Sequence, residues 1–230
     1  MTEPEYGDTW AYESIIGALP GLSLSTRLAV AIQFVLFEGA VLVLAAVYDV
    51  WMAVPAATAA VVVATAGSVE MVRIGRLVRG EAVPEPYRRL LFGSSIEMVL
   101  SVLAYVALVT HLFVFAPRYA EASLLEGLLG SEPPVLVVYL TLLVLWDVCY
   151  RIGTGWWASV AALWRSVRFE FDRETAAALQ RADAETMGFG LLQLVLVPFL
   201  ADFPVLATAV VGHVVAVTLV TGVSILLLRR

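Results

Sequence analysis

Four charged residues stand inside apolar stretches of this chain: Glu38, Glu97, Asp147 and Arg151. A charge near the middle of a membrane helix costs roughly 2.5–3.5 kcal/mol on insertion scales, so each needs a partner, a proton or a task. Asp147 and Arg151 are four apart, the spacing at which a carboxylate and a guanidinium meet on one helix face. One arginine cannot neutralise three carboxylates, so at least one of Glu38 and Glu97 is expected to hold a proton or a small cation. Glu97, Ser101, Ala104, Leu108 and His111 recur at helical spacing and predict a polar track along one face. His213 and Gln33 lie where they can approach the same interior. Such groups in a dry interior can relay protons or pass ions. The same groups can also lock helices together through ion pairs and hydrogen bonds. The pattern predicts that Glu38, Glu97, Asp147 and Arg151 meet in one connected polar region.

The elements that must position them are six apolar stretches, at about 28–50, 55–72, 91–115, 134–152, 187–201 and 205–228. Most approach the ~20 residues a helix needs to cross a ~30 Å hydrocarbon core. With 61% hydrophobic residues and mean hydropathy +0.90, a soluble globular fold is excluded. The expected fold is all-α: a polytopic integral membrane protein with one six-helix transmembrane domain over 28–230, preceded by a leader, 1–27. Threading these spans puts thirteen of the fourteen arginines on one side and leaves Arg118 on the other. Basic residues in short loops stay on the cytoplasmic side, so both termini are expected in the cytoplasm of a cell-membrane protein. Asp49, Glu121, Glu126, Glu132 and Asp202 fall on the outer side.

All fourteen basic residues are arginine, and the chain holds no lysine. A retinal or pyridoxal Schiff base and a phosphate-loop lysine are therefore excluded. Lysine-free composition, net charge −6 and heavy use of alanine and valine resemble uncharacterised haloarchaeal multi-pass membrane proteins. A GC-rich actinobacterial source would give the same arginine bias. The resemblance carries no function with it. Cys149 stands alone and is read as a small packing residue. No His/Cys/carboxylate spacing suits a metal, and no glycine-rich turn suits a nucleotide, so neither cofactor nor metal is expected. Membrane lipid and a small cation or proton are the implied partners, with no nucleic acid.

Smaller features complete the expectations. The leader lacks a basic region before a short apolar core, so the first span should act as its own insertion signal. Trp10, Tyr12, Ile15, Ile16 and Leu19 suggest a short interfacial helix. Ala56, Ala60, Ala64 and Ser68 form a small-residue stripe for close helix packing. Arg73, Arg76 and Arg79 sit where a helix leaves the membrane, which argues against voltage sensing. Ser123–Leu129 suggests a short helix in the outer loop. Gly153-Thr154-Gly155 suggests a break, after which Trp156, Trp157 and Trp164 would anchor an interfacial helix with Arg165 and Arg168 in water. Residues 170–185 suggest a cytoplasmic helix ahead of a weak fifth span, crossing or re-entrant. Tyr48-Asp49-Val50 and Trp146-Asp147-Val148 hint at two inverted halves, as in many transporters. Small-ion or small-solute transport is the leading function, with an intramembrane or lipid-processing enzyme and a structural accessory subunit as alternatives.

Overall fold

A segment surrounded by hydrocarbon can satisfy its own backbone N–H and C=O groups only as a helix. The computed structural model describes Trp10 and residues 26–80, 83–119 and 123–229, and these form helices with no strand among them. In chain order they are α1 (Thr26–Tyr48), α2 (Val54–Gly80), α3 (Glu85–Phe92), α4 (Ile96–Thr110), α5 (Ala116–Tyr119), α6 (Leu124–Leu129), α7 (Val135–Arg168), α8 (Arg173–Leu192) and α9 (Pro204–Leu227). A 3-10 turn, Trp51–Ala53, leads into α2; a π-helical turn, His111–Phe115, joins α4 to α5; a 3-10 stretch, Gln193–Leu200, extends α8. Among the described residues, six helical stretches are long and apolar enough to cross a membrane: Arg27–Tyr48, Trp51–Gly80, Glu85–Tyr119, Val135–Arg168, Arg173–Leu200 and Pro204–Leu227.

Three departures from the sequence reading have physical causes. The helix through Gly153-Thr154-Gly155 does not break; α7 runs unbroken for 34 residues. The glycines mark close approach instead. A Cβ at Gly153 would lie 2.5 Å from Ser101 Oγ and 3.1 Å from the Ser101 backbone, so α4 is pressed directly onto α7. Trp157 is accordingly buried, not spread on an interface. Residues 170–185 and the fifth span are likewise not separate elements. Asp172 caps α8 by accepting from the N–H groups of Glu174 and Thr175, and a helical rod continues to Leu200. The true break falls in the third span, at Gly93-Ser94-Ser95. There Ser95 takes a left-handed φ of 53° and Ser94 Oγ donates to Leu90 O at 2.7 Å.

α7 is the central rod, packed against α2, α4, α8 and α9. Of the Ala56/Ala60/Ala64/Ser68 stripe, Ala64 and Ser68 are buried and Ala56 and Ala60 half-buried. Of the expected leader helix only Trp10 lies within the described residues. It is fully buried, donates its indole N–H to Met71 O at 3.0 Å, and meets Phe92 edge-on at 5.0 Å. Around it Ile74, Tyr87, Leu91, Tyr150 and Trp157 form a core at the arginine-rich end. A second core, with Val41, Val61, Val144, Val148 and Phe189, lies farther along the bundle.

Candidate functional site

Asp147 and Arg151 project from adjacent turns of α7 and pair at 3.1 Å, with side chains only 9% and 1% exposed. The pair is held by residues from two other helices. Gln33 of α1 donates to Asp147 Oδ2 at 2.5 Å, and Ser68 of α2 donates to Gln33 Oε1 at 2.7 Å. Arg151 Nη1 reaches Met71 Sδ at 2.9 Å, and its guanidinium lies 5.2 Å from the Tyr150 ring centre. Gly67 makes room for it: a Cβ there would sit 2.5 Å from Arg151 Cβ. Gln33 thus carries both halves of a relay, its oxygen on Ser68 and its amide on Asp147. A carboxylate held by a guanidinium and an amide is a lattice that fixes three helices in register.

The other sequence candidates stand outside this hydrogen-bonded lattice, so the expected single polar region divides. Glu38 accepts from Thr58 at 2.8 Å, tying α1 to α2 farther along the hairpin. Glu97 is fully buried in the first turn of α4, and neither carboxylate oxygen has a hydrogen-bond partner. Ser101 Oγ donates to Glu97 O at 2.6 Å, so it serves the backbone. The predicted polar track from Glu97 to His111 is interrupted after Ser101: Ala104 is exposed, while Leu108 and His111 are half-buried. His111 opens the π-helical turn and stacks on Phe115. His213 is half-buried against Trp156, ring centres 6.0 Å apart, with Nε2 unpartnered.

A second buried network was not expected. Arg165, assigned to water from sequence, is 1% exposed. It donates to Asp183 Oδ1 at 2.7 Å, to Tyr87 Oη at 2.8 Å and to Leu179 O at 3.4 Å. Ser224 donates to Asp183 Oδ2 at 2.7 Å and lies 2.8 Å from Ser166 Oγ. Four helices (α3, α7, α8 and α9) meet there. Glu70, discounted as a helix end, is also buried and hydrogen-bonded by Thr186. The missed signal was the face of α8: Thr175, Ala176, Leu179, Ala182, Asp183, Thr186, Phe189 and Gly190 are all buried at helical period. Among the described residues, no three His, Cys, Asp or Glu side chains gather as a metal site needs.

Toward the acidic end, beyond the Asp147 lattice, the interior becomes apolar and opens into a cavity of about 280 Å³. Val41 and Ala45 of α1, Ala57 and Ala60 of α2, and Val144, Val148 and Cys149 of α7 form much of its wall. The hydroxyl of Thr141 on that wall is already donated to Val137 O at 2.8 Å. The short helix α6 supplies a lid. Ser123 Oγ accepts from the Glu126 N–H and starts α6, whose Leu124, Leu125, Leu128 and Leu129 line the cavity while Glu126 and Gly127 face out. Ala209 of α9 lines the cavity and is itself exposed, so the space reaches the bundle's outer surface.

Among the described residues, six helices are long and apolar enough to cross a membrane, which is compatible with a multi-pass membrane protein, and two of the ion pairs are buried between them. The chain belongs to a family of unknown function (DUF7530), whose model matches residues 5–224. No curated protein and no solved structure matches it.

Proposed function

We propose that this protein binds an apolar molecule dissolved in the membrane, taking its hydrocarbon portion into the cavity beneath the α6 lid. One observation carries the reading: an apolar space of about 280 Å³ between crossing helices, open beside Ala209. Apolar clefts of about this size and upward are where small molecules are held. Ion passage finds less support. An ion leaving Asp147 toward the acidic end would cross walls of valine, leucine and alanine with no free donor or acceptor to replace its hydration. A second reading rests on Glu97, whose buried carboxylate without a hydrogen-bond partner suits a bound proton or small cation. Loss of proton or sodium flux in reconstituted Glu97→Gln, with thermal stability kept, would favour it.

The reading is tested with a decanol analogue bearing a chain-terminal diazirine, photolysed on the purified protein in maltoside micelles. Labelled peptides should contain Val144 to Cys149, and unlabelled decanol should compete. Ala57→Leu/Ala60→Leu, which fills the space, should fold and lose the labelling. Equal labelling of wild type and the filled variant would overturn the reading.

The same proposal places both termini in the cytoplasm, on the arginine asymmetry, and treats 28–230 as one domain in the cell membrane. The lysine-free, acidic composition supports a haloarchaeal source. In a Cys149→Ala background, a cysteine at Gly127 should react with impermeant maleimide in intact cells and one at Glu174 should not. The reverse result inverts the topology.

A further inference from the structure

We infer that the cavity's ligand is a cationic amphiphile, a single hydrocarbon chain ending in an ammonium or similar cation; this rests on the apolar-binding reading above. The cavity itself offers no charge, so discrimination among head groups falls to its rim. Four exposed carboxylates stand at that end of the bundle, three of them within two residues of the lining and Glu132 three residues after Leu129. Asp49 precedes Val50 of the wall. Glu126 sits in the lid between Leu125 and Leu128. Glu132 lies at the entry to α7, and Asp202 follows Leu200 by two residues. Among the described residues none of the four is ion-paired, and Arg118 is the basic residue at that end. Carboxylates around a low-dielectric opening focus a negative potential on it. That potential attracts a cationic head group and repels the phosphate of an ordinary anionic lipid. The opposite end of the bundle has the opposite character, carrying Arg73, Arg76, Arg79, Arg88 and Arg89.

Three photoreactive probes with one decyl chain separate chain from head group: trimethylammonium, hydroxyl and sulfate. In neutral maltoside micelles at low salt, the ammonium probe should half-saturate labelling of the cavity wall at roughly tenfold lower concentration than the sulfate, with the hydroxyl between. The gap should narrow in 1 M salt, where the Debye length is about 3 Å. Asp49→Asn/Glu126→Gln/Glu132→Gln/Asp202→Asn should erase the head-group preference while the hydroxyl probe labels as in wild type. Asparagine tolerates the left-handed φ of 57° at position 49, so the hairpin is kept. Equal labelling by the three probes in wild type, or a preference that survives the fourfold change, overturns the inference and leaves apolar binding standing. Failure of the hydroxyl probe to label the wild-type wall overturns both.

Discussion

Asp183→Ala isolates what the Arg165 network does for the bundle. The substitution removes two short bonds at once, the 2.7 Å bond from Arg165 Nη2 and the 2.7 Å bond from Ser224 Oγ. Arg165 is left with Tyr87 Oη and a long contact to Leu179 O, and its Nε already lacks a hydrogen-bond partner. Both side chains of the pair are nearly sealed, 2% and 3% exposed, so solvent does little to screen the loss. Hydrogen bonds to charged groups contribute about 1.5–3 kcal/mol each, which for two bonds agrees with the ~3–5 kcal/mol expected when one partner of a buried ion pair is removed. Replacing both charges by apolar side chains of similar size, Arg165→Met with Asp183→Leu, removes the uncompensated cation too. That double variant should fall within ~1 kcal/mol of wild type or exceed it. The assay is reversible unfolding in mixed micelles by sodium dodecyl sulfate, followed by far-ultraviolet circular dichroism. A cost under ~1 kcal/mol for Asp183→Ala, or a double variant as unstable as the single one, would refute the reasoning.

Three further outcomes follow from the packing. Gly153→Ala should destabilise by about 1–3 kcal/mol because its Cβ meets Ser101 at 2.5 Å, whereas Gly212→Ala, with open space at its Cβ, should be neutral or stabilising by roughly 0.5–1 kcal/mol; thermal unfolding in micelles compares them. Trp10→Ala should cost about 3–5 kcal/mol, and Trp10→Phe only the indole bond to Met71, about 0.5–1.5 kcal/mol; the same unfolding assay reads both. The backbone N–H of Thr175 first, then its hydroxyl and the Glu174 N–H, hold the Asp172 carboxyl below its ordinary value of 3.8. Its stabilisation of the first turn of α8 is therefore full above about pH 4 and is lost as pH falls through that lowered value. Amide exchange at residues 174–176, corrected for intrinsic rates, should show the protection fading on acidification, and Asp172→Asn should flatten that dependence.

What the sequence disclosed was set by how directly the physics is local. Six apolar runs and the Asp147–Arg151 spacing are local, and both stand in the structure. The Gln33–Asp147 bond joins residues 114 apart, and only the three-dimensional crossing of α1 and α7 creates it. Gly153 and Gly155 misled because one residue type serves two opposite purposes, bending a helix and admitting a neighbour. Arg165 misled because arginine beside tryptophan at a helix end usually reaches for water, while here Asp183, eighteen residues on, turns it inward. The cavity had no signature at all, since a space is defined by what several helices fail to fill. Its lid was visible as Ser123–Leu129, though nothing local said that four leucines would cover an opening.

The length of α7 has a mechanical consequence. Thirty-four residues reach about 51 Å, and even at a 40° tilt they would cover ~39 Å along the membrane normal, more than the ~30 Å hydrocarbon slab. α1 and α9, with 23 and 24 residues, measure about 35 and 36 Å and match the slab with modest tilt. The surplus of α2, of α7 and of α8 with its 3-10 extension is expected to stand clear of the lipid at the arginine-rich end, where Arg73 of α2 grips Glu185 of α8 at 2.6 Å. The Arg165–Asp183 network lies toward that end and is sealed by protein side chains alone. Its dryness is therefore made by protein rather than borrowed from lipid, and the pedestal it braces should keep its shape in thin and thick bilayers alike, while α1 and α9 adjust their tilt.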